Sequence, residues 1–157
     1  MINKKEGELW RASIEVVGRG GMAVLATADE EGQPHSTWMN AVVTPHLEEV
    51  ITATSPHTLK AANVATNSRV EWMFATPSME TLIYLVGQAE ILEDAKDAEA
   101  CWHELPNKSQ AYFRNYCKSD SFHEFALIRT VVKEVVYCRP QGYRKTVVYR
   151  EAASEAL

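Results

Sequence analysis

The segment TATSPHTLKAANVATNSRV, residues 52–70, leads from a strand into a helix and from that helix into a second strand. The β-branched run at its start predicts a half-buried strand. Ser55 is a suitable N-cap, and Pro56 suits the first helical position, where its missing N–H group costs nothing. The pattern predicts a helix that ends near Asn67 and carries Lys60 one turn inside it.

The start of this predicted helix has the composition of an anion site. The first backbone N–H groups of a helix lack partners, and their dipoles favour a negative charge. The hydroxyls of Thr54, Ser55 and Thr58 add donors, and Lys60 adds a full positive charge. A phosphate group fits this set of donors. The alternative, from the segment alone, is an ordinary capped helix with a solvated lysine.

Short strands separated by turn residues make up most of the remaining chain. An amphipathic helix is predicted over residues 5–18, and a helical pattern over 95–118 is interrupted at Pro106. Gly87 lies inside a long strand and predicts a β-bulge or a close backbone approach. The predicted strands cover residues 22–29, 35–43, 50–54, 69–76, 81–94 and 143–150, with two further runs within 125–140. About seven antiparallel strands with regular turn signals predict a single domain over residues 1–157, mainly β with peripheral α, built as a closed or partly closed barrel.

Composition and charge exclude several classes of partner. The 157 residues carry a formal net charge of −5, and no Lys/Arg cluster interleaves with aromatic residues, so we expect no nucleic-acid partner. The basic stretch RPQGYRKTVVYR, residues 139–150, is either a solvated strand or a local anion contact. The N-terminal ten residues lack the apolar core of a secretory signal, and no apolar run is long enough for a membrane span. We therefore expect a cytoplasmic protein that makes no membrane contact.

The sequence contains no familiar metal, nucleotide or covalent-catalysis motif. The three cysteines have no CxxC spacing, and the five histidines fall in no paired metal spacing, so we expect no metal site. Neither GxGxxG nor GxxxxGK[ST] is present, which excludes these two nucleotide-binding patterns. No Ser-His-Asp or Cys-His constellation can be argued from spacing, and no catalytic residue is assigned.

A longer series of motifs surrounds the opening segment. Residues 32–74 and TLIYLVGQAEILED, residues 81–94, contain a Gly-x-Pro turn, a strand, a Thr-ended strand, the helix start, an Asn-x-x-Val strand entry and GQAEIL, in that order. In order and spacing this series resembles the pyridoxamine 5′-phosphate oxidase-like FMN-binding split barrels, and within them the general stress protein 26 type. The resemblance covers residues 22–94 and, more loosely, the strands within 125–140.

The resemblance implies an FMN site at a homodimer interface. The family strand that runs along the isoalloxazine ring, and contacts it largely through its backbone, corresponds to Trp38, Met39, Asn40 and Ala41. The strand end beside the ring and the ribityl chain corresponds to Ala53 and Thr54. The hydroxyl and the lysine that hold the phosphate correspond to Thr58 and Lys60. On this basis Lys60 binds the FMN phosphate.

The chain departs from the family pattern at several positions. Trp38 stands where many relatives have an arginine that helps to bind the phosphate. Leu59 replaces the arginine of an Arg-Lys pair in the vitamin B6 oxidases, and Leu82 replaces a glutamine that contacts the ring. Residues 142–148, GYRKTVV, lack the Arg-x-His pattern by which those oxidases bind their substrate. The resemblance therefore does not imply oxidation of vitamin B6.

Two functions from different classes follow from the resemblance. The first is oxidoreduction with FMN on an unidentified small-molecule substrate, with a reduced nicotinamide as one candidate electron donor. The second is non-catalytic binding of flavin, haem or a deazaflavin in a stress response. Several aromatic side chains have two interpretations, as flavin contacts or as packing against the barrel. They are Trp38, Tyr84, Trp102, Tyr112, Phe113 and Tyr116.

Overall fold

A computed structural model describes residues 3–19 and 21–151. Helices are α1 (Lys4–Arg19), α2 (Leu59–Thr66), α3 (Ala95–Glu104) and α4 (Asn107–Cys117), with one 3-10 turn at Phe122–Glu124. Strands are β1 (Met22–Ala28), β2 (Pro34–Asn40), β3 (Val42–Val43), β4 (Glu49–Thr54), β5 (Arg69–Ala75), β6 (Leu82–Ile91), β7 (Ala126–Arg139) and β8 (Arg144–Arg150). The single domain expected over residues 1–157 includes residues outside this description and stays a prediction.

The eight strands form one antiparallel sheet that curls into a half-barrel. Its order is β2-β1-β5-β6-β7-β4-β3, and β8 pairs with the second half of β7. One hydrogen bond links the two ends of this order: the Thr52 hydroxyl of β4 donates to the Asn40 carbonyl of β2 at 2.6 Å. This confirms the predicted mainly β architecture, an antiparallel split barrel with peripheral helices.

Alternation along the strands places large apolar side chains inside the half-barrel. Leu25, Trp72 and Leu85 are cross-strand neighbours on β1, β5 and β6, and all three are fully buried. The indole N–H of Trp72 donates to the Thr130 hydroxyl at 3.0 Å, so its one polar group is satisfied. Val17 of α1 packs against the same cluster. This interior core fixes the strand registers that position the candidate site.

Helices α3 and α4 cover the outer face of β4 and the first half of β7. Trp102 and Phe113 are fully buried there against Ala53 and Leu127. The packing interpretation therefore holds for these two aromatic residues. Tyr112 and Tyr116 lie on the exposed side of α4 and stack on each other, with ring centroids 6.1 Å apart.

The predicted irregularity at Gly87 is confirmed, but the interpretation of residues 125–140 as two strand runs is wrong. They contain a single 14-residue strand, β7. The pairing register between β6 and β7 shifts at Val86/Gly87, where Lys133 is the additional residue in β7. A bulge reverses which residues face inward, so Val132 and Val135 both point into the core. That reversal breaks the alternation and makes one strand resemble two.

Candidate cofactor site

The chain between β4 and α2 forms a tight turn before the helix begins. Thr58 N–H donates to the Ser55 carbonyl at 3.2 Å, which closes a turn with Pro56 at its second position, where a fixed φ is favourable. Thr58 is the N-cap of α2, because its hydroxyl accepts from Ala61 N–H at 3.4 Å. The predicted Ser55 cap and Pro56 start are therefore wrong by three residues. Pro56 lies in the turn that precedes the helix, and Thr58 is the residue that caps the helix.

Three of the predicted phosphate-site residues converge at this turn. Lys60 Nζ lies 3.5 Å from Thr54 Oγ1, and that oxygen lies 3.4 Å from Thr58 Oγ1. Thr54 is fully buried at the end of β4. Within residues 3–19 and 21–151, no carboxylate lies within 4.0 Å of the Lys60 ammonium group. The arrangement leaves a cation beside two hydroxyls with no acidic partner in the described chain.

The surroundings of Lys60 favour an anion. Desolvation by burial lowers the pKa of Lys60, because a partly buried ammonium group loses hydration; the Cys117 thiolate, if formed, would oppose this shift. A negative group at this position would compensate for the lost hydration. Helix α2 is anchored by Asn63, whose Nδ2 donates to the buried Thr27 hydroxyl of β1 at 3.0 Å. This buried bond fixes the helix start relative to the barrel.

A cavity of about 260 Å³ opens beside Lys60. Besides Lys60, its polar lining comes from Thr27 of β1 and from three residues of β2, which are His35, Ser36 and Thr37. Sequence reasoning missed these three residues. The polar residues at the start of β2 were the available signal. His35 pairs with Thr27, and the Thr27 hydroxyl accepts the hydrogen bond from Asn63 of α2, so this end of β2 lies next to α2.

The predicted ring-contacting strand lies at one end of the sheet order. Met39 and Ala41 point into the core, whereas Trp38 is 68% exposed on the outer face. Asn40 Oδ1 is buried with no hydrogen-bond partner among the described residues. β2 has a strand partner on one side only, and along its other edge the Asn40 carbonyl accepts from the Thr52 hydroxyl, so the backbone before Asn40 is the part of this edge without a ladder partner.

Ala53 is the predicted site residue that is least available. Its side chain is buried beneath α3 and α4 with Trp102 and does not line the cavity beside Lys60. Any contact from Ala53 to a ligand would have to come from its backbone.

A second cavity, about 460 Å³ in volume, lies where the strand continues past Ala41. Val42 and Val43 of β3 line it together with Ile51 of β4 and residues of α3.

No group of three or more potential metal-ligating side chains is assembled anywhere in the described ranges. None of the helices in those ranges is long and apolar enough to cross a membrane.

A curled antiparallel half-barrel with peripheral helices is the architecture of the split-barrel class. A family model for pyridoxamine 5′-phosphate oxidase matches residues 11–139. The chain therefore belongs to the pyridoxamine 5′-phosphate oxidase family, as its motifs predict. No curated protein sequence matches it.

Solved structures support the same fold. A Clostridium acetobutylicum protein related to general stress protein 26 is 18% identical, with a TM-score of 0.72, and the match covers 92% of this chain and 99% of that one. General stress protein 26 from Bacillus anthracis is 19% identical, with a TM-score of 0.63 and coverages of 87% and 97%. A haem-binding protein from Mycobacterium smegmatis is 18% identical, with a TM-score of 0.69 and coverages of 94% and 60%. At these identities the likeness concerns the fold.

Proposed function

We propose that this protein binds FMN and acts as an oxidoreductase on a small molecule other than a vitamin B6 compound. The observation that carries the proposal is the partly buried Lys60 ammonium group beside Thr54 and Thr58, with no acidic partner in the described chain. A phosphate monoester supplies both the negative charge and the acceptor oxygens that these groups lack. Membership in the pyridoxamine 5′-phosphate oxidase family supports a flavin as the molecule that carries this phosphate.

The remaining groups fit the rest of the cofactor. The backbone edge of β2 before Asn40, which has no ladder partner, suits an extended planar ring. When bound, a flavin supplies hydride and electron transfer through its ring, and the protein contributes orientation and electrostatics. Trp38 and Leu59, which stand where relatives have arginines, leave Lys60 as the main cation for the phosphate. As part of the same proposal the protein works in the cytoplasm, which agrees with three unpaired cysteines.

The visible spectrum of the freshly purified protein tests the proposal directly. We expect flavin absorption bands, and mass spectrometry of the ligand released on denaturation should identify FMN. Anaerobic addition of a reduced nicotinamide should bleach these bands if the protein is an oxidoreductase. A flavin that binds stably but is not reduced would favour the non-catalytic alternative. A released haem or deazaflavin, or a protein that stays colourless when FMN is added, would contradict the proposal.

We also infer a homodimer, because the outer face of the sheet carries a continuous apolar row. The members are successive cross-strand neighbours on β2, β1, β5, β6, β7 and β8. They are Trp38, Val24, Met73, Tyr84, Val136 and Val147. At the usual strand spacing the row is about 24 Å wide, which is more than the scattered exposed apolar residues of a monomer. A second copy of the chain would bury it.

Light scattering should give about twice the single-chain mass of 17.6 kDa at micromolar concentration. Trp38→Glu places a charge at the exposed end of the row and should shift the equilibrium towards the monomer at least about tenfold, since an unpaired interfacial charge is costly. Tyr143→Glu is the matched control, because Tyr143 is 96% exposed in the β7–β8 turn, outside the row. A parent protein with the mass of one chain would rule out this interface.

A further inference from the structure

The 460 Å³ cavity between β3, β4 and α3 has an apolar wall next to the predicted ring-contacting strand. Val42 and Val43 follow directly after Ala41, and Ile51 and Leu105 complete the wall. The volume falls within the range of small-molecule sites. A ligand here would lie beside the β2–β3 strand, which makes the cavity the natural place for a molecule that reacts with a cofactor bound along that strand.

The charged groups around the cavity are mostly carboxylates. Glu49, Asp97 and Glu104 line it, and none of the three is within salt-bridge distance of a cationic group in the described chain. Glu49 is half-buried at the start of β4, so its charge is only partly screened by solvent, whereas Asp97 and Glu104 are exposed at the rim. The lining therefore presents negative charge above an apolar wall.

The one cation of the lining is already paired. Arg129 Nη2 lies 2.5 Å from Glu90 Oε1, and its Nε donates to the same oxygen at 3.1 Å. The hydrogen bond that Arg129 donates to Glu90 is the main reason that the pKa of Arg129 is raised, with the charge of Glu49 adding to it. Arg129 is thus held by carboxylates and is poorly available to an anionic ligand. The four carboxylates, including Glu90, outnumber the guanidinium group by three.

The two remaining polar side chains of the lining, Thr44 and Cys101, do not change this balance. Burial is the main factor that raises the pKa of the Cys101 thiol, so it stays neutral. An anionic or dianionic substrate would meet repulsion in this cavity, and a neutral one would leave the carboxylates unmatched. A compound with an apolar body and one positive group can pack against the apolar wall and pair its charge with a carboxylate of the lining.

We propose that this cavity is a binding site for a small organic cation, with its apolar body against Val42, Val43 and Ile51 and its charged group between Glu49 and Glu104. Its role as the substrate site rests on the proposed flavin function, but its binding chemistry does not.

Calorimetry with three compounds of similar shape tests the preference for positive charge. The compounds are 2-phenylethylammonium, neutral 2-phenylethanol and anionic 3-phenylpropanoate. We expect the ammonium compound to bind at least about tenfold more tightly than the alcohol, and the carboxylate most weakly.

Two substitutions assign the preference to this cavity. Glu49→Gln and Glu104→Gln keep the shape of the side chain and remove its charge, and each should reduce the preference for the ammonium compound about threefold to tenfold. Glu99→Gln is the matched control on the same helix, because Glu99 does not line the cavity. Equal binding of the three compounds, or Glu49→Gln and Glu104→Gln proteins that both keep the parent preference, would overturn the inference. A protein that binds the ammonium compound but not FMN would retain this site and refute only the flavin proposal.

Discussion

Gly87→Ala is expected to destabilise the protein by about 3 kcal/mol or more, the upper range for overpacking at a site that cannot relax. A Cβ atom on Gly87 would lie 2.2 Å from the carbonyl oxygen of Val131 and 3.0 Å from its carbonyl carbon. Real Cβ atoms do not approach backbone this closely, so one of the two strands has to move. Both belong to the ladder between β6 and β7, and Val131 is also paired with β4. Relief of the clash therefore breaks sheet hydrogen bonds in the middle of the half-barrel.

Thermal and denaturant unfolding measure this effect, and the expected fall in melting temperature is about 6–12 °C for a chain of this size. Gly7→Ala is the matched control. It makes the same chemical change in α1, where a new Cβ meets nothing within 4 Å, and alanine is a better helix former by about 1 kcal/mol. The two variants should shift stability in opposite directions. A Gly87→Ala protein that unfolds at the parent temperature would show that the bulge is not as tightly packed as these distances require.

The Gly87 position also shows how far the sequence could predict the fold. A glycine inside an apolar strand is a local signal, and it correctly indicated a bulge or close approach. The matching irregularity in β7 gave no such signal, because Lys133 is an ordinary strand residue and its role depends on pairing with β6. Pairing across the sheet is not encoded in either segment alone. The sequence therefore predicted the strand positions better than the continuity of β7.

The candidate cofactor site was predicted to a similar extent. The proximity of Thr54, Thr58 and Lys60 follows from a strand end, a turn and a helix start that are adjacent in sequence. Local rules placed the cap at Ser55, but the hydroxyl of Thr58 competes for the same role and has the favourable geometry. The contribution of His35 to the cavity arises from the β1–β2 register and the packing of α2, which are long-range features.

The second cavity depends still more on tertiary structure. Its acidic lining combines Glu49 at the start of β4 with Glu104 at the end of α3, which are more than 50 positions apart in the chain. Neither residue belongs to a recognisable motif. Only the packing of α3 over the outer face of the sheet brings the two carboxylates to one cavity, so a charge preference there could not be predicted from sequence.

The role of Lys60 leads to the second large effect. If an FMN phosphate binds at this turn, Lys60→Ala removes a charge-assisted hydrogen bond worth about 1.5–3 kcal/mol. FMN affinity should then fall about tenfold to a hundredfold, measured by fluorescence titration of the flavin. Riboflavin lacks the phosphate, so its affinity should hardly change. This comparison separates a phosphate site from general damage to the fold, which would weaken both ligands alike.

Lys96→Ala provides the matched control for Lys60→Ala. Lys96 lies in the first turn of α3, which has its own N-cap at Asp94, but it is exposed and lines neither cavity. The control should leave the affinity for both flavins at the parent value. Raised salt should weaken FMN binding in the parent more than in the Lys60→Ala protein, because screening acts mainly on the charge that the variant has lost. A Lys60→Ala protein that binds FMN as tightly as the parent would refute the phosphate site at this helix. The cations of β8 would then be tested next, first Arg144 and then Lys145, whose Nζ already lies 4.9 Å from the centre of the Tyr84 ring.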